Sequence, residues 1–178
     1  MPAYALLDRD GTLVADRPDG EWRGVTDVPL LPGVASALTA LADLGYTLVV
    51  VTNQYLIDEG FITEEDYAST TRSLVAQLEQ HGVRLAAVQH CPHARWVACP
   101  CRKPGTAMVD AVVRRLGPMD RERSFVVGDS ACDTALAERL GVRGFRIGKV
   151  DEHGGTPLSS LADLPAALRS SGQSRNVG

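Results

Sequence analysis

The stretch Tyr4-Ala5-Leu6-Leu7-Asp8-Arg9-Asp10-Gly11-Thr12 decides how this chain is read. Tyr4 to Leu7 is a short apolar run of strand type. Side chains alternate along a strand, so Asp8 and Asp10 point the same way if the extended geometry continues. Two neighbouring carboxylates repel, and they coexist at low cost only when a cation sits between them or one holds a proton. Gly11 then lets the backbone turn sharply. Taken alone, Asp8 to Thr12 serves equally well as an ordinary turn, because Asp and Gly are common turn residues.

Working outward, two more apolar runs end in polar sets. Thr47 to Val51 is a nearly continuous β-branched run, as expected of a strand buried on both faces, and it stops at Thr52-Asn53-Gln54. Ser124 to Val127 stops at Gly128-Asp129-Ser130. Between the strands lie helical patterns. Val34, Leu38 and Leu41 recur at helical spacing before Gly45, and Thr63-Glu64-Glu65-Asp66 has the form of a capping box opening a helix to about Gln80. Gly105 to Leu116, Ala131 to Leu140 and Leu161 to Leu168 read as further helices, and Leu85 to Gln89 and Gly144 to Gly148 as further strands. Residues 13–31 are expected to form an irregular flap over the acids, with a small hairpin at Asp19-Gly20, or else a solvated connection. Strands alternating with helices imply βαβ units and a parallel sheet, whose ligands bind beyond the carboxyl ends of the strands. That topology carries the three polar sets to one edge.

The totals set limits. A chain of 178 residues with 44% hydrophobic and 22% charged residues is expected to form one domain, residues 1–169, followed by a flexible polar tail, 170–178. Aromatics are 5%, so aliphatic packing must fill the core. A net charge of −4 without a basic run argues against nucleic acid and membrane surfaces as partners. The absence of a long apolar stretch or a signal-peptide layout, together with clustered cysteines, leads us to expect a reducing cytoplasm. Nothing in the sequence demands more than a monomer.

The polar sets suit phosphoryl transfer from a small phosphorylated substrate. Asp8 is the candidate nucleophile, forming an aspartyl-phosphate that water later cleaves. Asp10 is the candidate acid and base. Asp8 and Asp129 are candidate Mg²⁺ ligands, and Asp133, one helical turn further, supports the metal shell or Lys103. Thr52 and Asn53 can donate to phosphate oxygens, and Lys103 supplies positive charge to the transition state. Singly, each has a plainer account: a turn at Thr52-Asn53, a surface lysine, a helix cap at Asp129 and Asp133. Cys91-x-His93 and Cys99-x-Cys101 offer three thiolates and an imidazole, a full shell for structural Zn²⁺; the alternative is a set of buried free thiols.

Asp8 to Thr12, Thr52-Asn53-Gln54, Arg102-Lys103-Pro104 and Gly128 to Asp133 together resemble the four motifs of haloacid-dehalogenase-type phosphatases. Cys91-Pro92-His93 to Cys101-Arg102-Lys103-Pro104 is similar to the zinc-bearing subgroup, the heptose bisphosphate and histidinol-phosphate phosphatases. The resemblance implies a Rossmann-like three-layer α/β sandwich, a mostly parallel central sheet, no large cap domain, and a zinc-bound loop in the cap's place. It also implies Mg²⁺ held by Asp8, the Asp10 carbonyl and Asp129, with Arg102 touching the substrate beyond its scissile phosphate. The implied activity is hydrolysis of a sugar phosphate, heptose bisphosphate-like. Histidinol phosphate is the alternative substrate, and a non-catalytic zinc-stabilised binding module is the alternative class. A DNA-end 3′-phosphatase shares the nucleophile motif, against the lack of a basic groove. One departure stands out: Tyr55-Leu56-Ile57-Asp58-Glu59-Gly60 replaces the Ser-Gly-Ile/Leu-Ala-Arg-Gly usual in the heptose enzymes. Glu59 is therefore expected to repel a second phosphate.

Overall fold

The computed structural model describes residues 1–148 and 154–173. Its centre is β1 (Ala3–Leu7), whose five residues are all buried. Strands β2 (Tyr46–Asn53), β3 (Ala87–Cys91), β4 (Phe125–Gly128), β5 (Arg143–Ile147) and β6 (Thr156–Leu158) complete a six-stranded sheet in the order β3-β2-β1-β4-β5-β6. Every pairing is parallel. The alternation of side chains splits the core in two. Ala5, Leu7, Leu48, Val50, Phe125 and Val127 face one layer, against α1 (Val34–Asp43), α2 (Glu64–Gln80) and α5 (Leu164–Gln173). Tyr4, Leu6, Val49, Val51 and Val126 face the other, against α3 (Ala107–Leu116) and α4 (Ala131–Leu140). Burying each such aliphatic side chain contributes about 1.5–3 kcal/mol, which is why the central strands tolerate no polar residue before their ends. This is a three-layer, Rossmann-like α/β sandwich, and among the described residues no separate cap domain is inserted.

Helix boundaries follow local chemistry. The Thr63 hydroxyl accepts from Asp66 N (3.1 Å) while Asp66 Oδ2 accepts from Thr63 N (2.9 Å), so α2 opens on a reciprocal capping box. Strand β3 lies two residues later than its apolar pattern predicts, and its last residue is Cys91, paired in register with Asn53. Strand β6 was not legible in the sequence: three residues containing Pro157 give no periodicity, and β6 exists because the edge of β5 receives it. The expected hairpin at Asp19-Gly20 is instead a 3₁₀ turn, Asp19–Glu21. Trp22 is 3% exposed, and its Nε1 donates to the Arg17 carbonyl (3.2 Å), so burial of the indole closes this turn rather than strand pairing. Val14 and Leu30 form a single bridge at the flap's base. The last helix begins as a 3₁₀ turn at Leu161–Asp163 and continues to Gln173, so the expected tail lies partly in α5; residues 174–178 are outside the described residues. Among the described residues no helix is long and apolar enough to cross a membrane.

Candidate active site

The strand order puts the carboxyl ends of β2, β1 and β4 side by side. Asp8 continues the ladder for one more residue, its N–H donating to the Val127 carbonyl (3.0 Å), before the chain turns at Gly11. Two glycines make room for the acids. A Cβ on Gly11 (φ 76°) would collide with Asp129 Oδ2, and a Cβ on Gly128 would collide with Asp133 Oδ2.

Lys103 occupies the centre. Its Nζ donates to Asp8 Oδ1 (2.6 Å) and Asp133 Oδ1 (2.7 Å), and its side chain is 1% exposed. Burial alone would push the ammonium's pKa down, but the charges of Asp133 and Asp8 outweigh it and hold it above the usual lysine range. Asp133 also accepts from Ser130 N (3.1 Å) and Ser130 Oγ (2.8 Å), capping α4. One carboxylate thus starts a helix and fixes the lysine.

Asp10 is gripped from behind. Arg9 Nε and Nη2 donate to its two oxygens (2.9 and 3.0 Å), and Gln54 Nε2 donates to Oδ2 (2.7 Å). Gln54 Nε2 also donates to Thr52 Oγ1 (2.9 Å), leaving that hydroxyl's own proton for another acceptor. Arg9 is itself buried between Trp22 and Tyr67, with ring centroids 5.3 and 5.2 Å from its guanidinium carbon, and Nη1 donates to Thr70 Oγ1 (3.2 Å). Sequence reasoning missed Arg9 and Gln54 as positioning residues. The available signal was Arg9 itself, a cation between two acids at the end of an apolar strand, since arginine is buried almost only when paired.

The Asn53 carboxamide faces the lysine's backbone: Oδ1 accepts from Lys103 N (2.9 Å), and Nδ2 donates to Lys103 O (3.4 Å). Arg102 donates from Nη1 to the Ala94 carbonyl (2.7 Å) and from Nη2 to the Val97 carbonyl (3.0 Å), bracing the cysteine loop. Thr52, Asn53, Arg102 and Lys103 all line one cavity of about 310 Å³, together with Asp8, Asp10 and Asp129.

Asp8, Asp129 and Asp133 can each bring a carboxylate oxygen within 4.8 Å of the others. Asp133 is engaged by Lys103 and Ser130, so Asp8 and Asp129 retain free capacity. Burial, foremost, holds the pKa of Asp8 above the carboxylate range, against the pull of Lys103; burial and then the charge of Asp133 raise that of Asp129. The acids outnumber the one buried ammonium, and all donors are oxygens, which fits a hard divalent cation such as Mg²⁺. In the loop after β3, Cys91 Sγ lies 3.6 Å from Cys99 Sγ and 3.1 Å from Cys101 Sγ, and His93 Nδ1 lies 3.4 and 3.1 Å from Cys91 and Cys101 Sγ. All four ligand atoms fall within 4.8 Å of one another. Sulfurs on a tetrahedral zinc with bonds of about 2.3 Å stand about 3.8 Å apart, close to the 3.6 Å between Cys91 and Cys99 and wider than the 3.1 Å between Cys91 and Cys101. Cys132 stands apart, its Sγ 2.9 Å from Ser130 Oγ.

This geometry has counterparts. The profile of the family described as polynucleotide kinase 3 phosphatase matches residues 4–146. The chain is 36% identical over 155 residues to the D-glycero-beta-D-manno-heptose-1,7-bisphosphate 7-phosphatase of Rhodopseudomonas palustris, covering 80% of this chain and 81% of that protein. It is 31% identical over 149 residues to the histidine biosynthesis bifunctional protein HisB of Legionella pneumophila, covering 84% of this chain but 42% of that one. Among solved structures, the D,D-heptose 1.7-bisphosphate phosphatase from B. bronchiseptica, complexed with magnesium and phosphate, superposes with a TM-score of 0.81 at 26% identity, covering 96% of this chain and 99% of that one. With the profile spanning every strand from β1 to nearly the end of β5, the chain belongs to the polynucleotide kinase 3 phosphatase family and is a phosphatase of the haloacid-dehalogenase type.

Proposed function

We propose that this phosphatase hydrolyses the phosphate monoester of a sugar phosphate, heptose bisphosphate-like, through an aspartyl-phosphate on Asp8. The observation that carries the reading is the Asp8–Lys103–Asp133 chain at the floor of a cavity whose other acid, Asp10, is fixed by Arg9 and Gln54. Asp8 holds one oxygen on Lys103, and its other oxygen attacks phosphorus as the bond to the ester oxygen breaks. Asp10 gives a proton to the departing alkoxide. It then takes a proton from the water that attacks the phosphorus, releasing inorganic phosphate and restoring Asp8. Lys103 and the Thr52 hydroxyl meet charge spread over the phosphoryl oxygens, while Asn53 holds the lysine's backbone in place. Mg²⁺ would be held by Asp8, the Asp10 carbonyl and Asp129, and would offset the repulsion between these acids and the phosphate. Zn²⁺ would be held by Cys91, His93, Cys99 and Cys101 as a structural ion ordering the loop.

The heptose bisphosphatase relatives, matched over most of their length, support the sugar-phosphate reading. Four cysteines outside any disulfide, three of them clustered as metal ligands would be, fit a reducing cytoplasm, and we read the chain as acting there as a monomer. Phosphate release from a panel of esters, with and without Mg²⁺, tests the proposal. The panel includes heptose 1,7-bisphosphate, histidinol phosphate and a 3′-phosphorylated oligonucleotide. We expect the heptose ester to have the highest kcat/KM. A clear preference for histidinol phosphate would move the assignment to the HisB-like reading, and release from no ester would leave a zinc-stabilised binding module.

A further inference from the structure

The outer wall of the cavity carries an arginine for which the chemistry so far has no use. Arg95, in the cysteine loop, lines the same cavity as Asp8 while its side chain is 54% exposed. It is held with unusual care for an exposed residue. Nε donates to Glu59 Oε1 (2.9 Å), Nη2 donates to Glu59 Oε2 (2.6 Å) and to Asp19 Oδ2 (3.3 Å), and its backbone N–H also donates to Glu59 Oε1 (2.8 Å). Its guanidinium carbon lies 4.2 Å from the centroid of the Tyr55 ring, whose hydroxyl donates to Asp19 Oδ1 (2.9 Å). Among the described residues these bonds use Nε and Nη2, and none uses Nη1.

Glu59, by contrast, does not line the cavity; its side chain is 3% exposed, covered by Arg95. The expectation that Glu59 repels a second phosphate therefore fails on geometry: the group that meets the cavity is the cation in front of it. A fork-shaped donor with one nitrogen free, fixed in place by its other nitrogens and an aromatic face, loses little freedom on binding an acceptor.

Resting on the sugar-phosphate reading above, we propose that Arg95 is the specificity-determining residue for an anionic group at the far end of the substrate from the scissile phosphate. Tyr55, Glu59 and Asp19 are its positioning residues. The segment Tyr55 to Glu59 has thus changed from a lost arginine into the mount of another one.

The test compares heptose 1,7-bisphosphate with heptose 7-phosphate, which differ in the distal phosphate. In Arg95→Ala the ratio of the two kcat/KM values falls by roughly 10–100-fold, the range of one hydrogen bond to a charged group. Arg95→Lys recovers part of the ratio. Glu59→Gln raises KM for the bisphosphate several-fold with kcat within about twofold, a split that general loosening of the loop would not give. Arg72→Ala, on an exposed pair with Glu65, serves as the unaffected control. A ratio unchanged in Arg95→Ala, in a wild type that prefers the bisphosphate, overturns the role of Arg95 and leaves the sugar-phosphate reading standing. A wild type that turns over neither heptose ester overturns both.

Discussion

The floor and the outer wall of the cavity are built by different means. The floor hangs from strand ends: Asp8 still shares a backbone hydrogen bond with β4, Thr52 and Asn53 close β2, and Asp133 sits in the first turn of α4. Its charges are buried, or half-buried at Asp10, and arranged in chains, Asp8 to Lys103 to Asp133 and Asp10 to Arg9 to Thr70. The wall is made of loop residues, Asp19, Tyr55 and Arg95, brought together across the flap, the segment after β2 and the cysteine loop. Its central pair has one exposed partner, and its order derives from that pair and from whatever gathers Cys91, His93, Cys99 and Cys101. A phosphoryl-transfer centre needs positions fixed to fractions of an ångström, which strand ends supply. Selection among substrates needs a surface that can vary without disturbing the sheet, which loops supply.

The sharpest way to break the floor is Asp8→Asn. Phosphate release should fall by about 10³-fold or more while the far-ultraviolet circular dichroism stays that of the wild type, since the amide keeps the side chain's shape but not the nucleophile. Substantial residual turnover would place the nucleophile elsewhere. Lys103→Met comes next and acts twice. It removes the cation facing the phosphoryl group, lowering kcat by roughly 10²–10³-fold. It also leaves Asp8 and Asp133 buried without a counter-charge, costing about 3–5 kcal/mol in urea unfolding. If stability were unchanged, the buried chain of charges would not be the scaffold described above.

The wall should give way more gently. Cys101→Ser should reduce bound zinc, measured by elemental analysis, and lower Tm by roughly 5–10 °C, because a metal that orders a loop contributes to folding. Equal zinc content and Tm in mutant and wild type would refute the structural ion. The smallest effect concerns pH. Hydrogen bonds from Arg95, foremost, hold the Glu59 carboxyl below the ordinary glutamate range. A depressed pKa contributes stability above the unfolded-state value, and that contribution is lost as pH falls through the folded-state value. The gap in urea midpoint between wild type and Glu59→Gln should therefore hold steady at neutral pH and close as the solution is acidified below the glutamate range. A gap that persists there would mean that Glu59 acts by packing rather than by charge.

Much of the fold was legible because local chemistry and global topology agree. Short continuous apolar runs, helical spacing, glycine stops and a Thr63–Asp66 capping box placed most elements within two residues of where they lie. The polar sets at three strand ends were equally visible, since a buried parallel strand can afford polar residues mainly where it leaves the core. Strand β6 and the 3₁₀ turn at Asp19 were not, because each depends on a partner distant in sequence: the free edge of β5 and the buried face of Trp22. Glu59 illustrates the same limit at the site. Read along the chain it was an acid beside a phosphate, but 36 residues separate it from the arginine that covers it.

The sequence by itself determined the alternating α/β architecture and singled out Asp8, Asp10, Asp129, Lys103 and the Cys91–Cys101 cluster as candidates, because backbone periodicity and side-chain chemistry are local properties. Tertiary structure alone decided what each of these groups touches. It set Arg9 and Gln54 behind Asp10, turned the Asn53 carboxamide to the lysine's backbone, and placed Arg95 between Glu59 and the cavity. The reason is physical: charge and hydrogen-bond capacity belong to the residue, whereas the partner that satisfies or neutralises it is chosen by distance in space, and that distance is set by packing of the sheet and its loops.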